Sequence, residues 1–185
     1  MFSLRQKNKY KDITPEIYQN IIERSRSKFF YLMMDIDDNF ESRFDLIILH
    51  SFIIFYFLKN ISENEKKLSQ LLFDFMFNDF DNNLREMGFG DIAVNKKMKV
   101  FITAFYGRIA NYSQGIDQIQ NNEGDEILNK AIVNNIYKGK EMNVYYTDFF
   151  KKYILKNLDF FNSRDLNINL GERFRFIDFP TEEKE

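Results

Sequence analysis

The run Leu46-Ile47-Ile48-Leu49-His50-Ser51-Phe52-Ile53-Ile54-Phe55-Tyr56-Phe57-Leu58 is apolar on nearly every side of a helix, interrupted only by His50 and Ser51. A helix without a polar face must be covered all round, by lipid or by other helices. These thirteen residues fall short of the roughly twenty that cross a bilayer. The run therefore predicts a central buried helix, spanning Ser42 to Asn60, with the rest of the chain packed around it.

Working outward, the apolar spacing stays helical almost throughout, and Pro 2 and Gly 7 are few for 185 residues. The fold expected is all-α, a single-domain bundle of about six helices with an irregular C-terminal arm. Upstream, Thr14 before Pro15 reads as a helix start, leading to about Met34 with Ile17, Ile21, Phe29 and Leu32 on the apolar side. Residues 1–13 then form a flexible basic N-terminus, and the acidic run Asp35 to Glu41 ends the first helix. Downstream, Ser62-Glu63-Asn64-Glu65 is a capping box opening a third helix, which runs to a stop at Gly88. A fourth helix spans Asp91 to about Gly115. Gly124 and Asp125 start a fifth, to about Tyr137, and Asn143 or Thr147 starts a sixth, ending near Phe161. Residues 163–185 read as an extended arm.

Composition bounds the chemistry. A content of 44% hydrophobic residues suffices for one sizeable core, and nothing in the length asks for a second domain. The net charge of -2 provides no global pull toward nucleic acid or anionic lipid. With no cysteine and one histidine, disulfides, thiol nucleophiles, thiolate metal sites and His-rich metal sites are excluded. The first residues lack the apolar core of a secretory signal and are short for a transit peptide, so a cytoplasmic location is expected. The acids Asp35, Asp37, Asp38 and Glu41 read as a solvated turn, and Asp79 and Asp81 point to different sides of one helix. No metal site, cofactor or catalytic constellation is expected.

The stretch Leu84-Arg85-Glu86-Met87-Gly88-Phe89-Gly90-Asp91 has legible hinge chemistry. Gly88 stands where a helix ending at Met87 needs a left-handed residue, Phe89 and Leu84 occupy the two apolar positions of a Schellman stop, and Asp91 is placed to cap the next helix. Lys96, Lys97 and Lys99 follow within about two turns of that start, where the helix dipole disfavours cations by a few tenths of a kcal/mol each. Helical stability does not account for them. With Tyr106 and Phe89 they form a candidate partner-binding surface for phosphate or acidic segments.

On the fourth helix Val94, Met98, Phe101, Phe105, Ile109 and Tyr112 make one apolar stripe, and Ala93, Val100, Ala104 and Gly107 a second, small-residue one. Arg108, at their border, is expected to be partly buried and to need a carboxylate. Asp79 and Glu86, seven apart on the third helix, and Arg43 and His50, seven apart on the second, suggest one structural polar cluster with Arg108.

These segments, with Asp79-Phe80-Asp81, Arg43-Phe44-Asp45-Leu46-Ile47-Ile48-Leu49-His50 and Ala104-Phe105-Tyr106-Gly107-Arg108, together resemble the ubiquinol-cytochrome c chaperone family, assembly factors of the cytochrome bc1 complex. The resemblance covers roughly Arg43 to Tyr112, and departs at Asn95, where a glycine is expected. It implies a non-enzymatic assembly chaperone that binds newly made cytochrome b. Members in mitochondria act with a small partner protein and near the ribosomal exit tunnel. A bacterial-type member would add peripheral contact at the inner face of the inner membrane. Two other readings stay open: a lipid or quinone carrier with an apolar pocket, and a metal-dependent enzyme.

Overall fold

The computed structural model describes residues 2–59, 63–164 and 170–179. In chain order the helices are α1 (Phe2–Ser25), α2 (Lys28–Leu32), α3 (Phe40–Lys59), α4 (Glu63–Glu86), α5 (Asp91–Gln120), α6 (Glu126–Ile136), α7 (Val144–Ser163) and α8 (Leu170–Arg173). Among the described residues there is no strand. Six of these helices are eleven residues or longer, as the sequence led us to expect, and α2 and α8 are single turns between them.

α3 is the axis of the bundle. Every residue from Phe44 to Leu58 except Phe55 is buried, and α1, α4, α5, α6 and α7 all pack against it. The apolar circumference of its sequence is thus covered by five neighbouring helices rather than by lipid, and no helix among the described residues is long and apolar enough to cross a membrane. Aromatic rings fill much of the surrounding space: Phe52 lies against Tyr112 of α5, and Phe57 against Phe161 of α7 and Phe174 of the arm.

Four local expectations are corrected. Thr14-Pro15 does not begin a helix, because α1 already runs from Phe2 and carries Pro15 inside it. The buried spacing Tyr10, Ile13, Ile17, Tyr18, Ile21 holds that helix together across the missing proline N–H, and the Thr14 hydroxyl donates to the Tyr10 carbonyl at 2.6 Å. Nor does the helix continue to Met34: the chain turns at Arg26, and Ser27 caps α2 by accepting from the Phe29 N–H. α5 passes Gly115 and ends at Gln120. A Cβ at Gly115 would lie 2.7 Å from Leu128 Cα, so glycine here permits α6 to approach α5 rather than ending the helix. Finally, among the described residues no helix of this chain packs closely along the small-residue stripe of α5: Ala93, Val100 and Gly107 are exposed, and only Ala104 is half-buried against the core. The capping box at Ser62 lies outside the described residues.

Asn143 does begin α7, accepting from the Tyr145 N–H at 2.9 Å. Beyond α8 the arm runs without regular structure to Phe179. It is fixed by burial of Phe174 and Phe176, by the Ile177 N–H donating to Asn157 Oδ1 at 3.0 Å, and by Phe179 stacking on Phe29 with centroids 4.2 Å apart.

Candidate functional site

The α4–α5 turn is a Schellman stop. Gly88 has φ 88°, its N–H donates to the Arg85 carbonyl at 2.9 Å, and the Phe89 N–H reaches back to the Leu84 carbonyl at 3.2 Å. Asp91 does not cap α5. Gly90 holds the N-cap position with no side-chain bond, while Asp91 occupies the first turn and accepts from Arg85, which also bonds Asp81 at 2.5 Å. Its charge still complements the helix N-terminus, and its ion pair with Arg85 ties α4 to α5 across the turn, while the Arg85–Asp81 pair lies within α4.

Beside this turn lies a groove of about 190 Å³. Its walls are Tyr18, Ile22 and Arg26 of α1, Phe40, Arg43, Phe44 and Ile47 of α3, Asp79, Phe80, Asn83 and Leu84 of α4, Met87, and Phe101 of α5. Phe44, Ile47 and Leu84 are buried, whereas Phe40 and Met87 stand more than half exposed at 54% and 63%. The Phe101 ring sits 4.7 Å from Phe44 and 6.0 Å from Phe40. Large exposed apolar side chains around an apolar recess are a signature of an interaction site.

The polar groups of the groove are specific. Asp79, half-buried, accepts from the Tyr18 hydroxyl at 2.8 Å and from Asn83 Nδ2 at 3.0 Å. Burial first, and then this bond, push the Tyr18 hydroxyl well above its ordinary range. Arg43 reaches outward to Asp38 as a two-pronged pair at 2.7 and 3.0 Å. Arg26 is exposed on the same wall and has no ion pair among the described residues.

The expected polar cluster is not assembled. Arg43 and Asp79 share the groove without touching, and Glu86 is exposed. Arg108 faces Asp45 instead: its Nε lies 2.7 Å from Asp45 Oδ1, and Lys138, past the end of α6, closes on the other oxygen. The Arg108 Nε–H makes no hydrogen bond to that oxygen, so the contact is chiefly charge–charge. Burial lowers the affinity of Arg108 and of Lys138 for their protons, and nearby Glu41 partly offsets this. Asp45 is 1% exposed, and its sequence signal was a lone acid at the edge of an apolar run. His50 is elsewhere, fully buried. Its Nδ1 lies 2.7 Å from the Leu46 carbonyl and 3.0 Å from the Ser25 hydroxyl, and its Nε2 lies 3.0 Å from the Tyr153 hydroxyl. A neutral ring donating from Nδ1 and accepting at Nε2 satisfies these contacts. Burial holds its pKa down, to about 3. Through these contacts the buried ring joins α1, α3 and α7.

Of the candidate partner surface, Lys96 and Lys99 are exposed on α5, while Lys97 folds over Phe89, its Nζ 4.7 Å from the ring centroid. Such a cation–π contact gives about 0.5–1 kcal/mol at an exposed site, which answers why a lysine is tolerated there. Tyr106 stands apart, packed on Phe73 with centroids 5.6 Å apart. It borders a second, apolar recess of about 300 Å³ with Phe55, Phe73, Phe105 and Ile109. Sequence reasoning missed Phe40, Met87 and Arg26, since nothing in helical periodicity marks which exposed residues meet around a gap.

Three comparisons bear on this arrangement. Over 96% of its length the chain superposes on the crystal structure of the Cbp3 homolog from Brucella abortus, covering 95% of that chain with TM-score 0.74 and 26% identity. It is 24% identical over 162 residues to ubiquinol-cytochrome c reductase complex assembly factor 1 of Mus musculus and 23% over 147 residues to that of Homo sapiens. These alignments cover 86% and 80% of this chain but 53% and 48% of the relatives, so the chain spans about half the length of the curated relatives it matches. The family model described as ubiquinol-cytochrome C chaperone matches residues 33–165, which hold α3 to α7 and the whole Gly88 turn. The chain belongs to the ubiquinol-cytochrome c chaperone family.

Proposed function

We propose that this protein is an assembly chaperone for the cytochrome bc1 complex and that it holds newly made cytochrome b through the groove beside the Gly88 turn. The observation that carries the proposal is the pairing of exposed Phe40 and Met87 with a recess floored by Phe44, Ile47 and Leu84. At about 190 Å³ the recess is smaller than the roughly 300–1,000 Å³ of small-molecule sites. It suits one or two apolar side chains of a protein client. Arg26, exposed on the groove wall, lends its mouth a positive charge for acidic segments of the client, while Lys96 and Lys99, exposed elsewhere on α5, are a separate cationic surface for a small partner protein or for the ribosome near its exit tunnel.

The test is co-purification of cytochrome b from membranes expressing both proteins. Met87→Asp with Phe40→Asp places two charges at the mouth while leaving the buried floor intact. Recovery should fall by about tenfold or more, because each charge would have to be desolvated on binding. Undiminished recovery from a folded double variant would sink the groove assignment. The recess at Tyr106 favours a second reading, an amphiphile carrier, for which lipid retained through purification and lost in Tyr106→Asp would be the sign.

A further inference from the structure

On the opposite side of α1 from the client groove lies a polar cavity of about 680 Å³. Three arginines line it from separated parts of the chain: Arg24 of α1, Arg164 at the end of α7 and Arg175 of the arm. We propose that this cavity binds a phosphate group, carried by a phospholipid head or free in solution.

Two of the arginines are fixed by groups that leave their charge in place. Arg24 donates through Nη2 to the Phe176 carbonyl at 3.0 Å and lies 4.6 Å from the Phe179 ring centroid. Arg164 donates to the Glu172 carbonyl and lies 4.2 Å from the centroid of Phe160. Carbonyls and ring faces orient a guanidinium without neutralising it, and each of these bonds uses one of five N–H donors. Arg175 is exposed and has no ion pair among the described residues.

The wall holds two acids, Glu23 and Asp178. Glu23 is engaged by Gln19 at 2.9 Å. Asp178 is fully exposed and 3.7 Å from Arg24 Nη2, an ion pair of little strength. Three cations against two acids leave one excess positive charge and several unused forked donors. That combination suits the tetrahedral oxygens of a phosphate, which accept two parallel N–H bonds from one guanidinium.

The test uses the full chain and two probes, inorganic phosphate and vesicles of phosphatidylcholine with or without phosphatidic acid. Arg164→Gln with Arg175→Gln removes two forks and spares Arg24, which ties down the arm. Wild type should bind at least one probe, and the double variant should bind it about tenfold or more weakly. Binding to phosphatidic acid vesicles without response to inorganic phosphate identifies a lipid head; a rise in Tm with inorganic phosphate over chloride at equal ionic strength, without vesicle binding, identifies the free anion. Arg164→Lys with Arg175→Lys keeps charge without the fork and should fall between the two, and it serves in place of the glutamine variant if that fails to fold. Equal binding by wild type and variants, or no binding of either probe by wild type, overturns the proposal.

Discussion

Asp45 shows what a single residue does in this fold. Its carboxylate, buried on α3, is approached by Arg108 from α5 and by Lys138 from beyond α6, so one side chain joins three segments. Removing one member of such a set strands the others' charge. Asp45→Asn should lower the unfolding free energy by about 3 kcal/mol, measured by urea denaturation, while Arg108→Met, which leaves Lys138 on Asp45, should lower it by less. A reversed order would refute the shared-carboxylate reading. His50 supplies a second prediction, sharpened by its being the sole histidine. Folded, its pKa is about 3, against an ordinary 6.5 when unfolded. Between those values the unfolded chain binds a proton that the folded chain does not, so stability is full above pH 6.5 and declines as pH falls. By pH 5 the loss is on the order of 2 kcal/mol. His50→Phe should flatten the dependence of Tm on pH between 7 and 5, and an unchanged slope would mean that other groups carry it. The need of Arg108 for a carboxylate was legible from its helical position, but the partner was not, since a spacing of seven cannot tell which helix faces which. Asp79 turns instead toward Tyr18 of α1, and Glu86 toward solvent.

At the scale of the element, two glycines act in opposite ways. Gly88 adopts φ 88°, so Gly88→Ala strains a left-handed backbone in open space and should cost about 1 kcal/mol. Gly115 is in ordinary helical conformation, yet its neighbour Leu128 leaves no room for a Cβ. Gly115→Ala must push α6 away from α5 and should cost about 1–3 kcal/mol. Thermal unfolding of the two variants compares them, and a smaller loss at Gly115 than at Gly88 would contradict the close-approach argument. The Schellman stop could be recognised in sequence because its signals are local: a glycine, two apolar flanks and their spacing. Gly115 could not, because its reason is a contact with another helix. The same limit applied to Pro15, where a strong local start signal lost to tertiary burial of Tyr10, Ile13 and Ile17. Likewise Asp91, a good cap by type, is drawn into the first turn by Arg85.

For the molecule as a whole, the apolar circumference of α3 determined the architecture, and five helices cover it. That much followed from hydrophobic content and length alone, because burial is the largest favourable term in folding. The surface was less legible: the groove exists only where α1, α3, α4 and α5 leave a gap, and its mouth residues Phe40 and Met87 lie far apart in sequence. Membership of the ubiquinol-cytochrome c chaperone family and an apolar recess open to solvent lead to one central claim, that this groove receives newly made cytochrome b. The most direct measurement places a photo-crosslinking amino acid at Met87, with an exposed control at Lys130 on α6, in cells synthesising cytochrome b. A crosslink to cytochrome b from position 87 and none from position 130 is the result predicted. Crosslinks of equal yield from both, or from position 130 alone, would contradict it.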